Sequence, residues 1–198
     1  MINILISLEM SKGKIMEKMT IDAFKEQSYI EIIESITKMN NGYVTSKELS
    51  NLEIHRMYLN IMKTKGMIEK VGNSIYIDSR KIEDIYFVFS LELSKVVYSH
   101  MTALYFHGLS IKAPNDKYDI TVPNNYFDKD IYELGLTEIK TPMGNNVRFY
   151  DMERCICDII RSKNRMDLEH VKYSIREYFK RKDKNLIKFS NYSKKNGH

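Results

Sequence analysis

The stretch HRMYLNIMKTKG, residues 55–66, carries side chains able to read nucleic acid. Arg56 can pair bidentately with guanine and Asn60 with adenine. Lys63 suits a phosphate oxygen. At about 100° per residue along a helix, Arg56, Met57, Asn60 and Thr64 fall on one side, with Lys63 at its edge. Leu59 and Met62 point the other way, with His55 and Tyr58 near them, so that side is expected to be buried. Just upstream, Thr45, Ser46 and Lys47 are suited to phosphate. Just downstream, Lys70 and Asn73 can meet the neighbouring backbone or the minor groove. A second basic group, Lys172, Arg176, Lys180, Arg181 and Lys182, lies towards the C-terminus. It can be a second nucleic-acid contact, a dock for an acidic partner, or a solvated helix surface. Taken singly, each of these residues is equally compatible with a solvated polar side chain; the grouping carries the reading.

Other chemistry finds little support. The chain has neither a GxxxxGK[ST] phosphate loop nor a GxSxG elbow. None of the five histidines, His55, His100, His107, His170 and His198, forms an HxH or HExxH pair, so no metal or cofactor is expected. His100 and His107, seven apart, would share a helix face and are expected to make structural hydrogen bonds at a helix end. Arg154 is able to bind phosphate, but a buried or half-buried ion pair with Glu153 that fixes their helix to a sheet is the stronger expectation. Cys155 and Cys157 are two apart, with no second pair for a zinc site of the CxxC…CxxC kind. On a helix they diverge by about 200° and read as reduced, mostly buried thiols of a cytoplasmic protein. A metal-dependent enzyme in the second half, using Asp119 or Glu138, is the remote alternative.

The elements that must position these residues follow from apolar spacing. Tyr29, Ile30, Ile33, Ile36 and Met39 recur at helical intervals within 21–39, with Ser28 a plausible N-cap inside that stretch and Gly42 the stop. Thr45 or Ser46 caps a short helix to Ser50, and Glu48 stands at capping-box distance from Thr45. A second helix is expected over Glu53–Lys65, ended by Gly66. MIEKV, GN and SIYI then read as strand, turn and strand. Three helices followed by a hairpin predict a winged helix-turn-helix over about 20–78. Such modules can also contact proteins. Beyond Asp78 a linker and helical segments are expected up to Gly108. Strands are expected at 118–123, 135–142 and 147–150, with MGNN a turn. A helix over 151–162 follows, with Asp151 its N-cap and Ile156, Ile159 and Ile160 its apolar side, then one or two basic helices. In these, Tyr178 or Phe179 should belong to the core. The second half thus predicts a mixed α/β domain with a small sheet over about 82–198, and the whole an α+β chain. Residues 1–19 are expected to be disordered.

The 198 residues carry a net charge of +5, with 43% hydrophobic and 29% charged residues, enough for a core and for a lean towards polyanions. The charge is uneven: from Arg161 to Lys195 there are 12 Lys/Arg against 4 Asp/Glu, an excess of +8, whereas 42–77 holds 5 against 3, only +2. No apolar run reaches the ~18 residues of a membrane helix, and MINILISLEM lacks the basic start and small-residue cleavage site of a signal peptide.

With these residues together, the chain resembles the AbiEi-type antitoxins of bacterial type IV toxin–antitoxin and abortive-infection systems over roughly 25–195. The resemblance rests on GYVTSKEL, HRMYLNIMKTKGMIEKVGNSIYI, SHMTALYFHGL, DITVP, VRFYDMERCICDII and DLEHVKYSIREYFKRKDKNLIKFSNYSKK, in that order. Members usually have Thr where this chain has Cys155, and they typically continue with one more helix after YSKKNGH. The resemblance implies an N-terminal winged helix that binds its own promoter and represses the operon; an inverted-repeat operator is expected, because two modules reading two half-sites raise specificity. It implies a C-terminal domain needed for antitoxicity against an AbiEii-type, nucleotidyltransferase-like toxin, without a stable complex. The alternative expectation is a protein-interaction module that neutralises its toxin by direct contact.

Overall fold

The computed structural model describes residues 23, 25–114, 117–123 and 129–195; the expectation for residues 1–19 lies outside them. The chain divides into two compact units at Glu83/Asp84. Among the described residues the fold is α+β, with nine α-helices and two small sheets. No helix among them is long and apolar enough to cross a membrane.

In the first unit, helix α1 spans 25–39. It runs through Ser28 rather than starting there, because Lys25–Gln27 are good helix formers that carry the ladder upstream. Ile30 and Ile33 are buried, but Met39 at the frayed end is 85% exposed, contrary to its expected place on the apolar side. Gly42, at φ +98°, closes the helix and donates its N–H to Thr37 O at 2.7 Å. Strand β1 (Tyr43–Thr45) follows, then α2 (Ser46–Asn51), α3 (Met57–Thr64) and the hairpin β2 (Ile68–Gly72) and β3 (Ile75–Asp78). The sheet order is β1-β3-β2, antiparallel throughout. Strand β1 was absent from the sequence expectation: three residues carry too short a pattern to register. Helix α3 starts four residues later than expected. Glu53 sits at φ +56°, outside the helical region, so that Ile54 can drop into the core and donate its N–H to Leu49 O. The core joins Ile30, Ile33, Val44, Leu49, Leu59, Met62 and Ile68.

The second unit holds α4 (Ile85–Glu92), β4 (Val97–Tyr98), α5 (His100–Phe106), β5 (Ile120–Thr121), α6 (Lys129–Glu133), β6 (Leu136–Lys140) and β7 (Asn146–Tyr150). Then come α7 (Met152–Arg161), a 3-10 turn (Lys163–Arg165), α8 (Leu168–Lys180) and α9 (Leu186–Lys195). The sheet order is β5-β4-β7-β6, and β4 lies parallel to β7. Strand β4 falls inside the run expected to be helical. Its two residues are fully buried, and apolar periodicity cannot separate so short a strand from a helix turn. Of the strand expected over 118–123, only Ile120–Thr121 pairs, with β4. Helix α7 packs against α5, α8 and α9. Cys155, Ile156 and Ile159 join the core; Ile160, expected with them, is 37% exposed.

Candidate nucleic-acid interface

The first unit builds its polar surface on a rigid scaffold. Thr45 caps α2 through a reciprocal box: its hydroxyl accepts from Glu48 N at 3.2 Å, and its own N–H donates to Glu48 Oε2 at 2.7 Å. The hydroxyl also donates to Glu48 Oε2 at 2.8 Å, so it is committed to the cap, a correction to its expected availability for phosphate. Ser46, half-buried, donates its N–H to Ser74 O at 3.0 Å. This bond ties the start of α2 to the tip of the β2–β3 hairpin, two stretches the sequence listed separately. Lys47, beside it, is exposed.

Helix α3 is two-sided. Leu59 and Met62 are buried at 0% and 1% exposure. Met57 is 48% exposed, and Asn60, Lys63 and Thr64 are exposed with it. Arg56, at the N-cap position, makes no capping bond and is exposed. Thr64 donates its hydroxyl to Asn60 O at 2.9 Å, which leaves its oxygen lone pairs and methyl for an outside partner. His55 was expected on the buried side; it is exposed, and its Nδ1 accepts from Met57 N at 3.2 Å, fastening the first turn. Its offset from Leu59 is misleading because the helix has not yet begun at 55.

The hairpin carries a bulge between Lys70 and Gly72, and its turn is Asn73–Ser74, one residue later than expected, with Ser74 at φ +62°. Lys70 and Asn73 are exposed. Among the described residues Lys47, Arg56, Lys63 and Lys70 make no ion pair. By contrast, Lys65 pairs with Glu26 at 2.8 Å and Arg80 with Asp78 at 2.6 Å. In the first unit these two paired cations are ones the sequence did not select.

The second basic group differs. Lys172 pairs with Glu169 (2.9 Å), Arg176 with Glu177 (3.7 Å) and Lys180 with Glu177 (2.7 Å). Arg181 pairs with Asp183 (2.6 Å) and also donates to His107 O at 3.3 Å, so it braces the turn after α8. Lys182 is exposed and makes no ion pair among the described residues. Three of the four acids between Arg161 and Lys195 are engaged in these pairs, so four of the five selected cations have an acidic neighbour while the net excess of +8 stands. Tyr178 is fully buried and Phe179 is 46% exposed.

The residues singled out for other chemistry are structural in their contacts. Arg154, 1% exposed, pairs with Asp158 at 2.9 Å rather than with Glu153, since i and i+4 share a helix face and i and i+1 do not. Its Nη1 donates to Ile131 O at 2.6 Å, and its guanidinium lies 4.6 Å from the Tyr150 ring centroid. Glu153 instead accepts from Tyr178 OH (3.2 Å) and Asn185 N (2.8 Å). His107 Nε2 lies 2.8 Å from Tyr150 O. Both cysteines are free and buried. Burial pushes the Cys155 thiol well up and the Cys157 thiol up to about 11, which keeps both protonated at neutral pH. Among the described residues no group of three His, Cys, Asp or Glu could hold a metal ion.

No protein-family model matches the chain, and no curated protein matches it.

Proposed function

We propose that this chain is an antitoxin of the AbiEi type that acts as a DNA-binding autorepressor, not as an enzyme. In this reading residues of about 20–78 form a winged helix-turn-helix and about 82–198 the antitoxin domain of a cytoplasmic protein. Helix α3 enters the major groove, where Arg56 and Asn60 meet base edges and Met57 and Thr64 offer apolar contact to thymine. Lys47, Ser46 and Lys63 hold phosphates, and Lys70 and Asn73 on the hairpin meet the neighbouring backbone. Two copies read an inverted repeat upstream of the operon, which multiplies specificity. The toxin it counteracts is nucleotidyltransferase-like and forms no stable complex with it. One observation supports the reading most: Lys47, Arg56, Lys63 and Lys70 stand exposed without acidic partners among the described residues, on α2, α3 and the hairpin of one compact unit.

A gel-shift titration tests it, with DNA from just upstream of the coding region against scrambled DNA at ~150 mM salt, where non-specific binding is weak. Tight, sequence-dependent shifting is the expected result. Weak binding that ignores sequence and fades with salt would remove the operator reading.

A second reading, neutralisation of a toxin by direct contact, is favoured by Phe179, Leu186 and Ile187. They are 46%, 51% and 76% exposed on α8 and α9, among basic residues. Stable co-purification with the product of the adjoining gene would support it.

A further inference from the structure

The outermost strands of a sheet turn half of their backbone groups away from it, and an open edge of this kind pairs readily with another strand. Three of the four edges among the described residues are blunted. Strand β5 pairs over two residues, β1 over three, and β2 is bent by the bulge between Lys70 and Gly72. Strand β6 is different. All five residues, Leu136–Lys140, pair with β7 in unbroken register, with neither proline nor bulge inside them, and β7 is the only strand beside it among the described residues. Two bonds fix which of its backbone groups face out. Asp151 N–H donates to Gly135 O at 2.7 Å and Thr141 N–H to Asn145 O at 2.9 Å. Hydrogen-bonded positions alternate along an antiparallel pair, so 135, 137, 139 and 141 are turned to β7. The N–H and C=O of Leu136, Glu138 and Lys140 therefore point outward from the sheet.

The side chains on this edge suit one partner in particular. Leu136, Glu138 and Lys140 share the exposed side of the strand, and Ile139 on the other side packs against the core. Among the described residues neither Glu138 nor Lys140 makes an ion pair. Charge on an edge strand ordinarily deters pairing. These two charges, however, are opposite in sign and two positions apart, so they complement the same segment run in reverse. We infer that β6 pairs antiparallel with β6 of a second copy of this chain, across a two-fold axis at Ile139. Glu138 of each copy then faces Lys140 of the other, Ile139 faces Ile139, and the outward groups of Glu138 and Lys140 bond to each other reciprocally. Centring the pairing one residue earlier would set Glu138 against Glu138, which like charges disfavour. The contact buries little side-chain area, so it is weak and transient. It lies wholly in the second unit and forms without DNA, so it does not depend on the operator reading.

Sedimentation equilibrium of the full chain without DNA, at ~50 mM salt and up to about 500 µM protein, tests the pairing. A monomer–dimer equilibrium with Kd on the order of 100 µM is expected. Glu138→Lys and Lys140→Glu, both on exposed side chains, should each weaken it about tenfold or more, because each sets like charges opposite one another on both sides of the axis. The doubly substituted chain, Glu138→Lys with Lys140→Glu, should regain the original affinity, because every opposed pair is again of unlike sign. That recovery is particular to the axis at Ile139. A chain that stays monomeric over the whole range would overturn the inference. So would a dimer whose Kd neither single substitution changes, or one that the double substitution does not restore.

Discussion

Two charged residues make the most of their surroundings. Arg154 and Asp158 are both 1% exposed, and Nη1 of the arginine donates to two backbone carbonyls. Asp158→Ala leaves a guanidinium in the core without its counter-charge, which costs about 3–5 kcal/mol. Urea unfolding of the variant should show that loss; a change below about 1 kcal/mol would mean water reaches Arg154. Asp78 is a surface counterpart. The side-chain hydrogen bond from Arg80, at 2.9 Å from Nε, is the main cause that holds its pKa at about 2 against an ordinary 3.8. A depressed carboxylate contributes stability that is complete above the ordinary value and disappears as pH falls through about 2. Arg80→Ala should therefore return the Asp78 midpoint towards 3.8 and flatten the stability loss between these pH values. Carboxyl-carbon NMR titration checks it, and an unmoved midpoint would assign the depression to another neighbour.

At the scale of elements, the capping box of α2 was legible because its bonds are local: Thr45 and Glu48 are three apart and need nothing else. Thr45→Ala should cost about 1 kcal/mol of unit stability by thermal denaturation. Under the proposed function, operator affinity of the folded fraction should change little, because the hydroxyl is already engaged. The start of α3 was illegible because it depends on Ile54 reaching a core formed by distant residues. Within α3 the outer face follows from the 3.6-residue period once Leu59 and Met62 are buried. Under the proposed function, Arg56→Ala weakens specific operator binding by about 1–3 kcal/mol and relaxes preference at one base position. Titration against single-base operator variants measures both; unchanged affinity would take Arg56 out of the interface. Gly135, at φ +77°, shows the same dependence on context: a Cβ there would meet Arg154 Cβ at 2.8 Å. A turn glycine is readable in sequence, but the approach of α7 to it is not.

For the whole molecule, the division at Glu83/Asp84 separates two cores with no shared residues. Calorimetry should resolve two unfolding transitions, with Asp158→Ala lowering one and Thr45→Ala the other. A single transition that both substitutions shift equally would mean the units unfold as one. The uneven charge also takes on a different meaning at this scale. The +8 excess of 161–195 looked like the stronger field in the sequence. Once folded, Lys172, Arg176, Lys180 and Arg181 lie against acids, whereas the smaller set on the first unit stays open.

By itself the sequence determined what local interactions determine: the α2 cap, the outer residues of α3, the hairpin, the strands β6 and β7 with the turn between them, the amphipathic α7 and the burial of its cysteines. Each depends on residues within a few positions of one another, so propensity and periodicity suffice. The tertiary structure alone decided the pairing of β4 with β7, the approach of the Ile131 and Leu134 carbonyls to Arg154, the bond from Ser46 to the hairpin tip and the left-handed turn at His100. These rest on contacts between residues tens of positions apart, and on burial that exists only after the cores close. A distant carbonyl or carboxylate can outweigh local preference there because, once water is excluded, an unpaired polar group costs more than a strained turn.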